Sequence, residues 1–221
     1  SLDCAEAVRT SEERWSQATA IDASAIRLLT WNIHKQEDAG WDRDLARFAA
    51  SADILLLQEV TLTEPIAQLL QSADLGWVMA SSFIYRDRDI GVLTATRVAP
   101  VANCTQRMVE PLLRLPKSAV ISWLRLPGTS ETLAVINLHA VNFSVTLGAY
   151  RDQLRALGDA LATHRGPIVL GGDMNTWTEE RLDAVRELGG HVAECLSCAA
   201  GVGIHHHRGP RAWTVRGGDG Y

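Results

Sequence analysis

The chain has 221 residues, 47% of them hydrophobic, and carries a formal net charge of −5 with a pI near 5.8. That apolar content suffices for one sizeable core, so a single domain over residues 1–221 is expected, and no apolar run approaches the roughly 18 residues of a membrane-spanning helix. An acidic chain lacks the strong basic field that holds a long nucleic-acid duplex non-specifically, although a local site or a bound metal could still supply positive charge to a phosphate.

Residues 3–18 have helical composition, with Ala5, Val8 and Trp15 among charges, and predict a helix on the outside of the domain. IRLLTWNI at 26–33 reads as a strand. Leu45, Phe48 and Ala49 recur at helical spacing within 42–50. DILLLQEV at 53–60 is a second strand, an apolar run with a carboxylate at its end. Residues 64–72 predict a helix with Pro65 in its first turn, where a missing N–H is tolerated. Strand-like stretches follow at 77–80 and 90–95, and the Pro-punctuated segment 97–117 reads mainly as loop. Strands at 119–126 and 132–139 flank a turn and predict a hairpin. Leu147, Tyr150, Leu154, Leu157 and Leu161 mark one side of a helix over 147–163. A short buried strand at 167–170 and a helix over 179–188, ending at Gly189, complete the pattern. Strands alternating with helices, interrupted by a hairpin, predict a mixed-sheet α/β protein.

Cys4, Cys104, Cys195 and Cys198 are too few and too scattered to predict a disulfide framework. Cys195 and Cys198 form a C-x-x-C pair, with His191 before it and His205, His206 and His207 after it. These spacings match no standard zinc finger, so zinc is the alternative and two buried or redox-silent thiols the plainer reading. The sequence starts at Ser1 without a visible signal peptide, which leaves a soluble location open, cytoplasmic or exported after leader removal.

Four strands end in polar groups: Thr30-Trp31-Asn32, Gln58-Glu59, Asn137-Leu138-His139 with Asn142 just beyond, and Asp173-Met174-Asn175. Asp173 and Asn175 follow Gly171-Gly172 and lie two residues apart, so in extended chain they point the same way. Gly-Asp-x-Asn is also good turn chemistry. Polar groups at the ends of apolar strands must be solvated or paired, and four such clusters on one domain ask for one pocket. One Glu, one Asp, several amides and one His, without thiolates, suit magnesium, manganese or calcium.

WNIH, LLLQEV, INLHAVNF and GPIVLGGDMNTW, in this order over residues 26–178, resemble the endonuclease/exonuclease/phosphatase superfamily, and most closely its uncharacterised bacterial branch. The resemblance implies a four-layer α/β sandwich, two mixed β-sheets face to face with helices outside, and a site at one end. It implies that Glu59 binds a divalent metal, Mg2+ or Mn2+, with Asn32 helping to hold it. It implies that His139 contacts the scissile phosphate and protonates the leaving oxygen, that Asp173 orients the attacking water, and that Asn175 binds a phosphoryl oxygen. Asn142 is a further candidate phosphate contact. His34 and Lys35 follow the first motif and could touch substrate, the plainer reading being a solvated loop.

The superfamily pattern continues into two more strands, one carrying an Asp near the metal and the other ending in Ser-Asp-His. This sequence has no Ser-Asp-His, and residues 199–221 form an atypical glycine-rich tail in which only 212–215 looks strand-like. The fold is therefore expected to lack the last family strands. Either a natural C-terminus is lost or replaced, or His205–His207 supply an imidazole by another route; an exposed loop is the plainer reading of the three histidines. Two functions stay open. One is a metal-dependent phosphoesterase acting on a phosphodiester or phosphomonoester, nucleic acid included, and impaired without the Asp-His pair. The other is a catalytically inactive relative that binds a phosphorylated ligand or a protein partner.

Overall fold

Side chains alternate sides along a strand, so a run that is apolar at every position must be covered on both faces. The computed structural model, which describes residues 4–142, 147–191 and 211–216, shows how this chain covers them. Two short helices, α1 (Cys4–Arg9) and α2 (Glu12–Gln17), precede β1 (Ala25–Asn32). β1 crosses over through α3 (Trp41–Ala49) to β2 (Ile54–Thr61), its parallel partner. After α4 (Glu64–Ser72), β3 (Gly76–Tyr85) and β4 (Arg88–Thr96) form a hairpin, and β4 pairs antiparallel with β2. The second sheet begins with β5 (Ala102–Val109), β6 (Pro116–Arg125) and β7 (Thr132–His139), which pair antiparallel in sequence. α5 (Gly148–Ala160) then carries the chain to β8 (Ile168–Asp173), parallel to β7. α6 (Glu179–His191) follows, and β9 (Arg211–Arg216) returns to pair antiparallel with β1. The sheet orders are β3-β4-β2-β1-β9 and β5-β6-β7-β8.

The two sheets face each other. Leu28, Ile54 and Leu56 of the first pack against Leu124, Leu133, Val135 and Val169 of the second. The alternate residues Leu29, Trp31, Leu55 and Leu57 point the other way, against Leu45 of α3 and Ile66 and Leu70 of α4. Ile121, Trp123, Ile136, Leu138 and Leu170 likewise face outward, beneath Tyr150, Leu154 and Leu157 of α5 and Val185 and Leu188 of α6. This is the helix–sheet–sheet–helix sandwich that the family resemblance implies, and it contains the mixed sheets that the strand and helix pattern predicts. No helix among the described residues is long and apolar enough to cross a membrane.

Four local readings are corrected. The segment read as loop, 97–117, contains β5, which pairs with β6 from Ala102–Trp123 to Val109–Pro116. Its polar Asn103, Thr105, Gln106 and Arg107 hid it, because an edge strand needs burial on one face only. The helix read over 3–18 is two helices, broken at Thr10-Ser11. The strand-like pieces at 77–80 and 90–95 are parts of a longer hairpin, Gly76–Tyr85 with Arg88–Thr96, whose turn end is exposed. Cys4 and Cys104, read with the other two cysteines as too scattered for a disulfide framework, form a disulfide with a Cα–Cα distance of 5.2 Å. A separation of 100 residues conceals that pairing from sequence; it exists because α1 lies on edge strand β5. The strand expected at 212–215 forms as β9, whereas Cys195, Cys198 and His205–His207 lie outside the described residues.

A covalent clasp between α1 and β5 closes a long loop and restricts the unfolded chain. Reducing it, or replacing Cys104 with Ala, is expected to lower unfolding free energy by about 2–4 kcal/mol in urea titrations, with the fold retained.

Candidate active site

Parallel pairing brings the C-terminal ends of β1 and β2 together, and likewise those of β7 and β8. The alternation that sends Leu28 and Ile26 between the sheets also sends Asn32 there, and the same count places His139 with Leu133 and Val135, and Asp173 with Val169. Gly171 and Gly172 make the approach possible. A Cβ on Gly171 would meet Leu56 Cδ1 of the opposite sheet at 2.5 Å, and one on Gly172, whose φ is +133°, would land on the Leu138 carbonyl.

Glu59 does not follow this count. Leu57 and Val60 both face α3 and α4, three residues apart, because the pairing of β2 with β4 shifts register between them. One residue is therefore extra, and Glu59 occupies the distortion with a φ of +52°. A left-handed glutamate costs on the order of 1 kcal/mol or more, and a bulge of this kind re-aims a side chain. Here the carboxylate turns to the open end of the sandwich. Its Oε2 accepts a hydrogen bond from Lys35 Nζ at 2.8 Å, and its Oε1 lies 3.8 Å from His139 Nε2. Asp173 Oδ2 lies 3.7 Å from the same imidazole nitrogen and accepts from Asn32 Nδ2 at 2.9 Å. Lys117 Nζ stands 2.8 Å from His139 Nε2. Asn32, Glu59, His139 and Asp173 thus meet at one point, with two lysines among them.

The charges decide the protonation states. Burial raises the Glu59 carboxyl, but the Lys35 hydrogen bond, the nearby His139 ring and the charges of Lys35 and Lys117 outweigh it and hold the group below its usual value. Burial lowers the Lys117 ammonium, against the pull of Glu59, Glu110 and Asp173. Burial and then the Lys117 charge push His139 down to about 4, although Asp173, Glu59 and Glu110 act in the opposite sense. His139 is therefore a neutral imidazole near pH 7, with Nε2 accepting from Lys117 and its own proton on Nδ1.

The remaining candidates fall at the margin. Asn175, with φ +48°, donates from Nδ2 to the Ala140 carbonyl at 2.9 Å, which leaves its second amide proton for a ligand. Its backbone N–H donates to Asp173 Oδ1 at 3.3 Å. Asn142 lies in a separate network: its N–H donates to buried Glu110 at 2.7 Å, and its Oδ1 accepts from Trp177 Nε1 at 2.9 Å. His34 supports Asn32 through its backbone N–H, at 3.1 Å from Oδ1, while its ring lies between Glu37 and Asp38, away from His139. Gln58 and Asn137, read as part of the pocket, are buried instead. Gln58 Nε2 donates to Asn137 Oδ1 at 2.7 Å, and Asn137 Nδ2 donates to the Leu93 carbonyl at 2.9 Å, tying the two sheets together beneath the site.

Sequence reading missed three contributors. Lys117 fell in the stretch read as loop. Gln36 clamps Thr61 through both amide atoms, at 2.7 and 2.9 Å, and so fixes the loop that carries Lys35. Arg181 is buried between the rings of Tyr150 and Trp177, 4.6 and 4.5 Å from their centroids, and donates to the carbonyls of Val141 and Asn142. Only the position of Lys35, directly after WNIH, carried a usable signal; an arginine on a charged helix reads as solvated.

A helix–sheet–sheet–helix sandwich with carboxylates, amides and an imidazole gathered at one end of its parallel strands defines a class of two-sheet α/β folds. The chain belongs to the Endonuclease/Exonuclease/phosphatase family, whose profile matches residues 29–220. It is 42% identical over 176 residues to a UPF0294 protein of Vibrio parahaemolyticus, covering 78% of this chain and 62% of that one. A UPF0294 protein of Vibrio campbellii is 41% identical over 164 residues, covering 73% and 57%. The chain thus spans less than two thirds of the length of these curated relatives. Among solved structures it is similar to an endonuclease/exonuclease/phosphatase family protein from Leptotrichia buccalis, with TM-score 0.57, 16% identity, and 74% and 73% of the two chains covered. The human Nocturnin catalytic domain with bound sulfate gives 0.56 at 19% identity, covering 75% and 70%. D. rerio TDP2 complexed with single strand DNA product gives 0.53 at 18%, covering 77% and 67%. At such identities the likeness shows the fold.

Two measurements follow from the geometry. Replacing Gln58 with Leu strands the buried Asn137 amide, so unfolding free energy is expected to fall by about 1–3 kcal/mol; an unchanged urea midpoint would refute the cross-tie. His139 binds its proton more weakly folded, at about 4, than unfolded, at about 6.5, so the unfolded state takes up protons first and stability falls as pH drops between those values. In chelator, wild type is expected to lose on the order of 3 kcal/mol over that window, and His139→Gln to flatten the slope.

Proposed function

We infer that this chain carries a divalent-metal-dependent phosphoric ester hydrolase centre. The observation that supports this best is the convergence of Glu59, Asp173 and Asn32 with His139 and two lysines at the mouth of a sandwich of this family. The donor set fits a hard cation. No group of three or more His, Cys, Asp or Glu side chains is arranged for a metal among the described residues, but magnesium commonly keeps several waters and takes only one or two carboxylates. Glu59 is the ligand of choice: its charge is maintained by Lys35 and Lys117, and its Oε1 accepts no hydrogen bond among the described residues. Asn32 and Asp173 would complete the oxygen set. Mg2+ or Mn2+ bound there would place positive charge on a phosphoryl oxygen and ease attack by water.

The chain's own groups do the rest. Asp173, held by Asn32, orients the attacking water. Lys35 and Lys117 give two ammonium groups that can follow the negative charge as it develops on the phosphoryl oxygens. Neutral His139 presents Nε2 to the same space. The negative charge of an arriving phosphate ester would favour its protonated form, and the proton could then pass to the leaving oxygen. Asn175 offers its second amide proton to a phosphoryl oxygen. The relative caught with a single strand DNA product and one described as a 2',3'-cyclic phosphatase support phosphate esters as the substrate class.

One observation favours a second reading, a non-hydrolytic phosphate binder: Lys35 already neutralises Glu59, so two lysines could hold a phosphate without metal. The two readings differ in one experiment. Hydrolysis of bis(p-nitrophenyl) phosphate by this chain should require Mg2+ or Mn2+, stop with chelator, and fall by at least about 100-fold in Glu59→Gln. Glu59→Gln should also lose Mn2+ binding by electron paramagnetic resonance. Metal-independent phosphate binding without turnover would select the second reading.

A further inference from the structure

Nine large apolar side chains stand exposed among the described residues, and seven of them lie at the end of the sandwich that holds Glu59 and His139. The topology fixes this placement. β4 runs antiparallel to β2 and enters at Arg88, beyond Thr61, so the β3–β4 turn projects past the site. β6 runs antiparallel to β7 and starts before Ser118, so the β5–β6 turn projects from the same end. The two hairpins are tied just below their tips, where Ser82 Oγ and Ser118 Oγ are 2.7 Å apart.

The β3–β4 tip carries Ile84, 70% exposed, and Tyr85. The β5–β6 tip carries Val109, Leu112, Leu113 and Leu115 in the sequence VEPLLRLP. Trp177 stands beside them on the loop after β8. Exposed arginines border the patch at 86, 88, 107 and 114, and Arg86 lies 5.1 Å from the Tyr85 ring centroid. Of the nearby acids, Asp87 is exposed, Asp89 is tied to Ser81 Oγ at 2.6 Å, and Glu110 is buried. In a chain of net charge −5, the two hairpin tips are thus apolar and locally cationic, while the exposed acids Glu37, Asp38, Glu179 and Glu180 stand on other segments of the same end.

We propose that these two hairpin tips dock the chain on a lipid bilayer with anionic headgroups, so that the site opens onto the membrane surface and takes a phosphate ester presented there. Two narrow, convex tips suit insertion among acyl chains, whereas a protein groove would meet a broader face. Tyrosine and tryptophan occupy the headgroup level, and arginine stems can lie in the apolar zone with their charges at the phosphates. Lys117 leaves the β5–β6 tip two residues after Leu115 and reaches His139, so a headgroup at the tip is beside the reactive cluster. The substrate part of the proposal rests on the phosphoesterase reading; the docking does not.

The test is sedimentation of the 221-residue chain with phosphatidylcholine vesicles, with and without phosphatidylglycerol, in chelator so that hydrolysis does not enter. Wild type should pellet with the anionic vesicles. Leu112→Ser with Leu113→Ser should weaken partitioning by more than about tenfold, since each change withdraws a whole apolar side chain. Arg86→Glu with Arg114→Glu should abolish the preference for phosphatidylglycerol. All four positions are exposed, so circular dichroism and melting should stay as in wild type. Glu59→Gln should bind vesicles as wild type does, which separates docking from catalysis. Wild type remaining in the supernatant overturns the proposal. So does equal pelleting of the Leu112/Leu113 variant, or self-association through the tips in place of vesicle binding.

Discussion

The buried amide pair between Gln58 and Asn137 is the constraint on which the site depends. The aliphatic contacts between the two sheets below it are non-directional, and by themselves would tolerate sliding of one sheet over the other. The pair does not. Gln58 Nε2 reaches Asn137 Oδ1, and Asn137 Nδ2 reaches carbonyls of both β2 and β4. In a low-dielectric interior these bonds lose heavily if misaligned. They set the relative position of β2 and β7 one residue below Glu59 and two below His139, and so fix the spacing between groups contributed by different sheets.

Above that tie, charge is balanced rather than minimised. Glu59, Asp173 and Glu110 bring negative charge to a largely buried place, and Lys35 and Lys117 answer it. His139 sits between the two signs and stays neutral. Such a cluster is costly to assemble without a ligand, because each ion gives up water for partners that only partly replace it. A dianionic phosphate would relieve the lysines, and a divalent cation would relieve the carboxylates.

The support around the cluster has the same economy of parts. Gln36 and Gln153 each use both ends of one amide: Gln36 on Thr61, and Gln153 on the Val141 N–H and the His139 carbonyl. Arg181, stacked between two rings, holds the strand exit after β7. The hairpins that carry the apolar tips are extensions of strands that also carry Lys117 and flank Glu59. A force on the tips would therefore be felt at the cluster through continuous backbone.

Some of this was fixed locally and some was not. Period-two alternation and buried apolar runs are properties of a few adjacent residues, and they were enough to find β1, β2, β7, β8 and the helices between them. Alternation also places Asn32, His139 and Asp173 on one face, and the WNIH and GGDMN motifs mark where the strands stop. What the sequence could not settle depends on contacts between distant segments. The edge strand β5 looks like loop because only one of its faces needs burial. Cys4 meets Cys104 only after α1 docks on that edge. Lys117 becomes a site residue only when β6 aligns with β7, and Gln58 and Asn137 become cross-ties rather than pocket walls only when the sheets stack. Glu59 is the sharpest case. Its identity is plain in LLLQEV, but the alternation of that strand points it to the helices, and only the bulge against β4 turns it to the site. A side chain's type is written in the sequence, whereas its direction at a strand's end is decided by the neighbours that the fold brings to it.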